Sequence, residues 1–306
     1  MTEINKNILA TLAYFDMFNY PLTRVEIFLF LQQKYRQQDF DVALQYLVVS
    51  QAIYKFDNFY TLKNDHGLVD RRIMGNRKAA ELMKTARRVS ELLIRFPYVR
   101  GIAISGSLSK NYADDKSDID LFIITAKNRL WIARTIMHAF KKLTFLINKQ
   151  HYFCMNYYVD EQQMQITEKN IYTATEVVTL IPLQGDAIFD QFFAANAWTQ
   201  EYLPNNYLRL SSAQSVKNNA LKNAVESLFN NHVGDFFDRI LMKITGSRWS
   251  KKTIEKRLNA HGIVLSMSAE KHCAKPHPVE FQKKLVGRYN DKIACLFQNR
   301  ESSMVY

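Results

Sequence analysis

Residues 99–126 read Val-Arg-Gly-Ile-Ala-Ile-Ser-Gly-Ser-Leu-Ser-Lys-Asn-Tyr-Ala-Asp-Asp-Lys-Ser-Asp-Ile-Asp-Leu-Phe-Ile-Ile-Thr-Ala. Two apolar, mostly β-branched runs, 101–104 and 119–124, enclose a polar segment, so the pattern predicts a strand, a turn with a short helix, and a second strand. The turn contains Gly106 and Ser107. Gly106 has no Cβ and lets an anion approach the backbone, and N–H groups at the start of a helical turn attract negative charge. The stretch therefore predicts a phosphate site between the two strands.

Two acidic side chains, Asp118 and Asp120, lie at the start of the second strand. Side chains alternate between the faces of a strand, so both carboxylates are expected on one face, with Ile119 and Leu121 on the opposite, buried face. Two like charges held this close repel each other unless a cation lies between them. Mg²⁺ and Mn²⁺ prefer oxygen ligands, and Mg²⁺ usually keeps substrate phosphates among them. The pair therefore predicts a site for a divalent cation and a nucleotide.

These motifs resemble a known family. An apolar residue followed by Gly-Ser, ten further residues and Asp-apolar-Asp-apolar is similar to the signature of the polymerase beta-like nucleotidyltransferase superfamily. The residues that carry it are Gly106, Ser107, Asp118, Ile119, Asp120 and Leu121. The resemblance implies a mixed β-sheet core of the nucleotidyltransferase type with flanking helices. It covers about a third of the chain and leaves the acceptor of the nucleotide unspecified.

The resemblance also implies a role for each matching residue. Asp118 and Asp120 would be catalytic and would hold Mg²⁺ or Mn²⁺. The phosphates of the nucleotide would be bound by Gly106, Ser107, Ser109 and Lys110. The implied reaction moves a nucleoside monophosphate from a nucleoside triphosphate to a hydroxyl or phosphate of an acceptor, with release of pyrophosphate. RNA and a small molecule are the two acceptor classes that stay open.

Superfamily members that copy nucleic acid carry a third carboxylate on a later strand, and three residues are candidates for that place here. The predicted strand 151–160 has Asn156 in its middle and Asp160 at its end, and the next helical segment has Glu176. Alternation predicts that Cys154, Asn156, Tyr158 and Asp160 share one face. Asparagine offers only a neutral oxygen and is a weaker ligand and a poor base. A second class of function therefore stays open, a regulatory module that binds a nucleotide with little turnover.

The composition is that of a globular protein. The chain has 306 residues, of which 47% are hydrophobic and 13% aromatic, enough to fill the cores of more than one domain. No apolar run reaches the ~18 residues of a membrane span, and residues 1–14 lack the features of a signal peptide. The three cysteines are too scattered for a disulfide framework. We therefore expect a cytoplasmic protein without a membrane partner.

The net charge of +12 is distributed unevenly along the chain. Residues 1–65 carry 6 basic and 7 acidic side chains, 66–99 carry 8 and 3, 100–200 carry 10 of each, and 201–306 carry 17 and 9. A run of like charge is usually a solvated face. Together the two basic segments are suited to flank an anionic substrate. The C-terminal segment also keeps a third class of function open, a nucleic-acid-binding protein.

The first 65 residues predict three helices and a hairpin, which resemble a winged-helix domain. The predicted elements are helices 4–18, 23–31 and 41–50 and hairpin strands 52–55 and 60–63. Thr23 and Glu26 form a capping box at the start of the second helix. Winged-helix domains put their third helix into the DNA major groove, where Lys and Arg neutralise phosphates, but the third helix here has neither. This favours a packing or dimerisation role over DNA binding.

The remaining segments complete a predicted α+β fold. A long helix is expected at 68–96, with a basic face of Arg71, Arg72, Arg77, Lys78, Arg87 and Arg88. Further helices are expected at 128–147, 172–180, 211–229, 234–245 and 278–297, with one more ending near residue 198 and a linker at 204–206. The predicted domains are a winged-helix-like domain (1–65), a connecting helix (66–97), a nucleotidyltransferase core (98–203) and a basic helical domain (204–306).

Overall fold

The computed structural model describes residues 1–206, 213–216, 219–255, 268–275 and 279–302. Its N-terminal part contains the helices α1 (Glu3–Asp16), α2 (Arg24–Leu29) and α3 (Gln37–Val49) and an antiparallel sheet of β1 (Leu22–Thr23), β2 (Tyr54–Phe56) and β3 (Phe59–Thr61). The capping box of Thr23 and Glu26 is present at the start of α2. The three predicted helices and the hairpin are thus confirmed, and α3 begins before its predicted start.

A 27-residue helix, α4 (Gly67–Leu93), leads into the central part of the chain. The central elements are β4 (Val99–Ile104), α5 (Gly106–Ser109), β5 (Asp120–Thr125), α6 (Leu130–Thr144), β6 (Cys154–Asp160), α7 (Ile171–Val178), β7 (Ile181–Gln184), α8 (Asp186–Ala195) and α9 (Thr199–Tyr202). The last elements are α10 (Ala220–Phe229), α11 (His232–Ile254), β8 (Ser268–Ala269), β9 (Cys273–Lys275) and α12 (Val279–Ser302). The fold is mixed α and β, as predicted.

The main sheet has six strands in the order β7-β4-β5-β6-β9-β8. β4 pairs antiparallel with β5 and β7, β5 and β6 are parallel, and β9 pairs antiparallel with β6 and β8. Parallel neighbours need a crossover connection, and α6 provides it between β5 and β6. Because β4 and β5 are antiparallel neighbours, the last residues of β4 and the first residues of β5 lie at the same end of the strands.

The two faces of this sheet pack into different hydrophobic clusters. The residues that face α4, α6 and α11 are Ile102, Ile104, Leu121 and Ile123. Those that face α1, α3, α7, α8 and α12 are Ala103, Phe122 and Ile124. This alternation confirms the two strands predicted on either side of the Gly-Ser turn. It also means that the N-terminal helices and the central sheet share one continuous core.

Two features of the sheet differ from the sequence pattern. β7 contains Pro182, and the sequence pattern predicts no strand between the helix at 172–180 and the next helix. Proline lacks the N–H that a central strand needs, but β7 lies at the edge of the sheet, where proline is tolerated. At the opposite edge, β8 and β9 extend the sheet beyond β6. The C-terminal segment is therefore not purely helical, because pairing with β6 recruits part of it as strands.

Two predictions about surface segments are wrong. Arg72 is buried, donates to Glu26 at 2.7 Å and stacks on the ring of Tyr20, so it does not belong to an exposed basic face of α4. Asn205 and Asn206 are also buried, so residues 204–206 are packed against the protein instead of forming an exposed linker. In both cases tertiary contacts bury polar groups that the local sequence places at the surface.

The C-terminal helices agree with the prediction in type and differ in extent. α10 lies within the predicted helix 211–229, of which residues 211, 212, 217 and 218 fall outside the described residues. α11 is longer than the predicted helix 234–245 and includes Lys251 and Lys252 in its last turn. Over the described ranges, no helix has the length and apolar character needed to cross a membrane.

Candidate functional site

A cavity of about 420 Å³ lies between the main sheet and the N-terminal helices. Residues of α1, α4, β5, β6, α7 and α12 contribute to its wall. Part of this wall is a polar cluster, defined here as Ser105, Gly106, Ser107, Lys110, Asp120, Asn156 and Glu176. The fold therefore brings together four residues of the predicted site: Gly106, Ser107, Lys110 and Asp120.

Gly106 and Asp120 are packed directly against each other. Gly106 has a φ of +68°, a conformation that residues with a side chain rarely adopt. A Cβ at this position would lie 2.5 Å from Oδ2 of Asp120, which is closer than non-bonded atoms approach. The backbone N–H of Ser105 donates to the carbonyl oxygen of Asp120 at 3.0 Å. The turn therefore requires glycine so that the carboxylate can lie against its backbone.

The carboxylate of Asp120 lies near other acidic groups. Burial, and then the charges of Asp118 and Glu176, raise the pKa of Asp120 to about 7, while the charge of Lys110 opposes this shift. Nδ2 of Asn156 donates a hydrogen bond to Oδ1 of Asp120. A buried carboxylate beside two like charges attracts a cation, because a cation relieves both burial and repulsion.

Asp118 lies two residues before β5, which begins at Asp120, so only one of the two predicted carboxylates belongs to the strand. Asp118 is not among the described residues that line the cavity, and its charge adds to burial in raising the pKa of Asp120. Ile119 and Leu121 are buried in the cluster on the opposite face, as predicted. The part of the chain that the structure describes contains no group of three or more His, Cys, Asp or Glu side chains placed to hold a metal ion.

The two predicted phosphate-binding residues that follow Ser107 differ in their surroundings. Lys110 lines the cavity, and its Nζ lies 2.9 Å from Oε1 of Glu176 and 3.2 Å from the carbonyl oxygen of Gly106. Ser109 is buried, and its hydroxyl donates to the same carbonyl oxygen at 2.9 Å. Ser109 thus stabilises the short helix α5, whereas Lys110 can reach a ligand in the cavity.

The N-terminal part also contacts the segment that follows the turn. The hydroxyl of Tyr20 donates to the carbonyl oxygen of Lys110, and the guanidinium of Arg72 lies 3.7 Å from the ring centre of Tyr20. The carbonyl oxygen of Gly75 in α4 accepts the N–H of Ala113 at 3.2 Å. These contacts fix the position of Lys110 relative to the N-terminal helices.

Asp160 is remote from the polar cluster. Asp120 begins β5 and Asp160 ends β6, and because the strands are parallel the two residues lie at opposite ends of the pair. Asp160 accepts hydrogen bonds from the backbone N–H groups of Asn128 and Gln162 and lies 2.8 Å from Nδ1 of His272. It is therefore excluded as the third carboxylate of this site.

A bulge in β6 changes the alternation that the sequence predicts. The register shifts between Leu121 and Phe122, and Phe122 pairs with Tyr157, so Asn156 is the extra residue. Asn156 and Tyr157 both line the cavity, whereas Tyr158 is buried in the cluster on the opposite face. The prediction that Asn156 and Tyr158 share a face is therefore wrong, because a bulge moves the period of two by one position.

Glu176 is the remaining candidate for the third carboxylate, and it reaches the cavity from α7. It pairs with Lys110, and its charge is one of the causes of the raised pKa of Asp120. Asn156 and Glu176 therefore both adjoin Asp120.

Most of the remaining cavity wall is aromatic, which the sequence pattern does not reveal. The N-terminal segment contributes Tyr14, Phe15, Phe18 and Tyr20, and the central part contributes Tyr112, Phe122, Tyr157 and Tyr172. Four aromatic residues among the seven positions 14–20 are a usable signal. They predict an apolar wall only once the fold has packed α1 onto the central sheet.

The basic segments contribute little to this wall. Among the described residues that line it, the cationic side chains are Arg71 and Lys110. Lys110 pairs with Glu176, and Arg71 donates to the carbonyl oxygen of Asn19 at 3.0 Å and stacks on the ring of Tyr112. The other basic residues of α4 are mostly exposed away from the cavity, including Arg87 and Arg88. Lys251 and Lys252 of α11 are exposed as well.

No family model matches this chain, and neither a curated protein nor a solved structure matches it. The resemblance to nucleotidyltransferases therefore depends on the residues around Gly106 and Asp120, and any function must be argued from the chemistry of this cavity.

Proposed function

We propose that the chain is a metal-dependent nucleotidyltransferase, which moves a nucleoside monophosphate from a nucleoside triphosphate to an acceptor and releases pyrophosphate. The supporting observation is the packing of the Gly106 turn against the carboxylate of Asp120 inside a cavity of small-molecule size. A turn that binds phosphate and a carboxylate that binds a cation must be adjacent if the cation is to contact both. The resemblance of this stretch to the polymerase beta-like superfamily points to the same reaction.

Asp118 and Asp120 are the residues that would hold Mg²⁺ or Mn²⁺. Their oxygen atoms suit a hard cation, and the raised pKa of Asp120 reflects a repulsion that a cation would relieve. When bound, the cation supplies Lewis-acid stabilisation of the charge on the phosphates. Because a proton competes for the same oxygen atoms, we expect metal affinity to fall as the pH drops below about 7.

The turn and Lys110 would bind the leaving group. The β- and γ-phosphates lie against the backbone of Gly106 and Ser107, and Lys110 compensates part of their charge. An acceptor oxygen forms a bond to the α-phosphorus while the bond from the α-phosphorus to the oxygen that bridges to the β-phosphate breaks. Pyrophosphate leaves with that bridging oxygen. Positioning and electrostatic stabilisation supply most of the acceleration in such a site.

Glu176 is the group that we assign to accept the proton of a hydroxyl acceptor. It lines the cavity and lies 2.9 Å from the ammonium group of Lys110. Bound phosphates compete with Glu176 for Lys110, which leaves the carboxylate available as a base. The acceptor hydroxyl then loses its proton to Glu176 as its oxygen bonds to the α-phosphorus.

Asn156 favours a second candidate function, nucleotide binding with little turnover. It lies on the strand that carries a third carboxylate in relatives that copy nucleic acid, and its amide donates to Asp120. A neutral amide is a weaker cation ligand than a carboxylate. Tight binding of a triphosphate in isothermal titration, without pyrophosphate release, would select this function over transfer.

Replacing both Asp118 and Asp120 by Asn tests the proposal, because the double variant keeps the shape of the side chains and removes their charge. We expect its ligand-free form to be as stable as the wild type or slightly more stable, since like charges are removed. The thermal shift produced by Mg²⁺ with ATP, GTP, CTP or UTP should disappear, because a ligand raises the melting temperature only if it binds the folded state. Pyrophosphate release should disappear as well.

Asp115→Asn is the matched control for this experiment. Asp115 is an exposed acid on the same loop that pairs with Lys78 at 2.5 Å. We expect this control to keep the metal-dependent thermal shift. A full shift in the double variant would mean that the two aspartates are not the metal site, and the proposed function would then be abandoned.

A further inference from the structure

The cavity has groups on both sides of Asp120. β5 lies between β4, which leads into the Gly106 turn, and β6, which carries Asn156 and Tyr157. The turn and the β6 side chains therefore flank Asp120 from opposite sides. In phosphoryl transfer the attacking and leaving oxygens are roughly in line through the phosphorus. With pyrophosphate at the turn, the acceptor belongs on the β6 side.

The surface beside β6 includes aromatic rings. The rings of Phe122 and Tyr157 are stacked, with 5.2 Å between their centres, and both line the cavity. Tyr14 and Phe15 line the same cavity and belong to the same hydrophobic cluster as Phe122 and Ile166. Aromatic side chains of this kind bind apolar and planar groups by burial and by ring contacts. The acceptor side of the cavity therefore suits an apolar molecule.

The charges in the wall do not suit a polyanion. Among the described lining residues, the cations Arg71 and Lys110 are outnumbered by the acids Asp120, Glu168 and Glu176. Nucleic acids are bound through Lys and Arg side chains that neutralise several phosphates. This wall offers no such series of cations within the described residues, so RNA is a poor fit as the acceptor.

We propose that the acceptor is a small, largely apolar molecule with a hydroxyl group, held by a wall to which the N-terminal segment contributes. This inference rests on the proposed function, because only that function requires an acceptor. A volume of about 420 Å³ is within the ~300–1,000 Å³ of small-molecule pockets. The hydroxyl lies on the β6 side of the polar cluster, where its oxygen bonds to the α-phosphorus. Its proton passes to Glu176 through one water molecule, because Glu176 pairs with Lys110 at the leaving-group side.

The N-terminal segment is then part of the substrate site and not a DNA reader. Its third helix, α3, exposes Val42, Tyr46 and Val49 and has no basic residue. Four aromatic residues of the N-terminal segment instead line the cavity: Tyr14, Phe15, Phe18 and Tyr20. Tyr20 also contacts the backbone of Lys110. The segment therefore combines a wall for the acceptor with support for the turn.

The test uses the full chain and 2-naphthol, a planar neutral probe with one hydroxyl group, whose binding is followed by its fluorescence and by isothermal titration. Phe18→Ala removes a ring from the cavity wall, and Phe18 is 43% exposed, so the substitution spares the deep core. Phe236→Ala is the matched control, since Phe236 is 57% exposed on α11 and does not line the cavity. We expect saturable binding at one site, weakened about 3- to 10-fold by Phe18→Ala and unchanged by the control.

Two further arms identify the source of the ring that the wall binds. We expect Phe18→Ala to leave the thermal shift with Mg²⁺ and each triphosphate unchanged, and we expect a short oligoadenylate not to displace 2-naphthol. Displacement by the oligoadenylate, or an equal loss of triphosphate and 2-naphthol binding in Phe18→Ala, would overturn the inference in favour of RNA or of the nucleobase. Absence of saturable 2-naphthol binding, or an equal effect of the two Phe substitutions, would also overturn it.

Failure of the proposed function gives a different result. The double variant Asp118→Asn, Asp120→Asn is expected to retain 2-naphthol binding and to lose the metal-dependent shift. If it keeps that shift, the metal site is wrong whatever the 2-naphthol data show. If it loses the shift while the wild type fails to bind 2-naphthol, the inference about the acceptor fails and the nucleotide site stands.

Discussion

Asp120 and Asp160 lie at opposite ends of the parallel pair of β5 and β6, and the groups around their carboxylates differ. Asp160 is fully buried. Its Oδ1 accepts the backbone N–H of Gln162 at 3.0 Å, and its Oδ2 accepts that of Asn128 at 2.9 Å and lies 2.8 Å from Nδ1 of His272. These contacts give both oxygen atoms of a buried carboxyl group hydrogen-bond partners. Asp160 therefore joins the loops at its end of the sheet.

Asp120 lies near two charges of its own sign, and the opposing charges of Lys110 and Lys141 do not offset burial and this repulsion. Asn156 donates to it, but Asp118 and Glu176 add to burial in raising its pKa to about 7. Such a carboxylate costs the folded protein free energy unless a ligand compensates its charge. A buried acid with several hydrogen-bond donors therefore has a structural role, whereas a buried acid beside other acids is available to a cation.

Among the substitutions considered, Asp160→Asn is expected to lower the free energy of unfolding most. An amide has one oxygen atom, so one of the two sets of donors at Asp160 would face an NH₂ group. Leaving a buried donor without a partner costs about 1–3 kcal/mol for each group. We expect the free energy of unfolding to fall by about 3 kcal/mol, measured by urea unfolding. The molecules that stay folded should keep the thermal shift with Mg²⁺ and triphosphate.

Asp115→Asn again serves as the control for Asp160→Asn. Its exposed ion pair with Lys78 is expected to contribute about 1 kcal/mol or less. Equal stability of Asp160→Asn and the wild type would mean that the donors around Asp160 do not need both oxygen atoms of its carboxyl group, and the contrast with Asp120 would be lost.

Features that depend on neighbours in sequence were predictable. Thr23 and Glu26 form their capping box within one helical turn, and Leu121 and Phe122 face opposite sides of β5 because a strand alternates. The adjacency of Gly106 and Asp120 follows from the same short stretch, since the two flank a turn between paired strands. Local geometry therefore accounts for the part of the cavity formed by the Gly106 turn and Asp120.

The aromatic part of the cavity wall depends on contacts between distant segments, so local patterns alone do not place it. The bulge at Asn156 turns Tyr157 toward the cavity, and nothing in the composition of β6 marks an inserted residue. Tyr14 and Phe18 reach the cavity only because α1 packs on the central core. The sequence also offers both Asp160 and Glu176 as a third carboxylate, with Asp160 ahead because it ends the predicted strand, and their burial and partners in the fold reverse that order.

A smaller, pH-dependent effect is expected from Asp120→Asn without metal. The pKa of Asp120 is about 7 in the folded protein and about 3.9 in an unfolded chain. Below about pH 4 both states hold the proton, so Asp120 does not lower stability there. As the pH rises toward about 7, only the unfolded state ionises, and the wild type loses stability that the variant keeps. The full difference between the two pKa values corresponds to about 4 kcal/mol at about pH 8, and relaxation around the open cavity is expected to reduce the advantage of the variant to on the order of 2 kcal/mol.

Urea unfolding in the presence of a chelator, repeated across this pH range, measures the difference. Asp115→Asn should follow the pH dependence of the wild type. The same pH dependence in Asp120→Asn and the wild type would show that burial and like charges do not raise the pKa of Asp120. The distinction between the two ends of the sheet would then fail.

The smallest effect is expected from Asn156→Asp, and its sign depends on the metal. Without Mg²⁺ the variant loses the hydrogen bond from Asn156 to Asp120 and gains a third negative charge, so we expect it to be less stable than the wild type by about 1 kcal/mol at about pH 8. With saturating Mg²⁺ it should equal or exceed the wild type, because the added carboxylate is a further oxygen ligand and binding stabilises the folded state. Asn156→Ala loses the same hydrogen bond without adding charge, so it should be destabilised with or without Mg²⁺. If Mg²⁺ leaves the difference between Asn156→Asp and the wild type unchanged, no cation binds beside Asp120, and this end of the sheet resembles the Asp160 end after all.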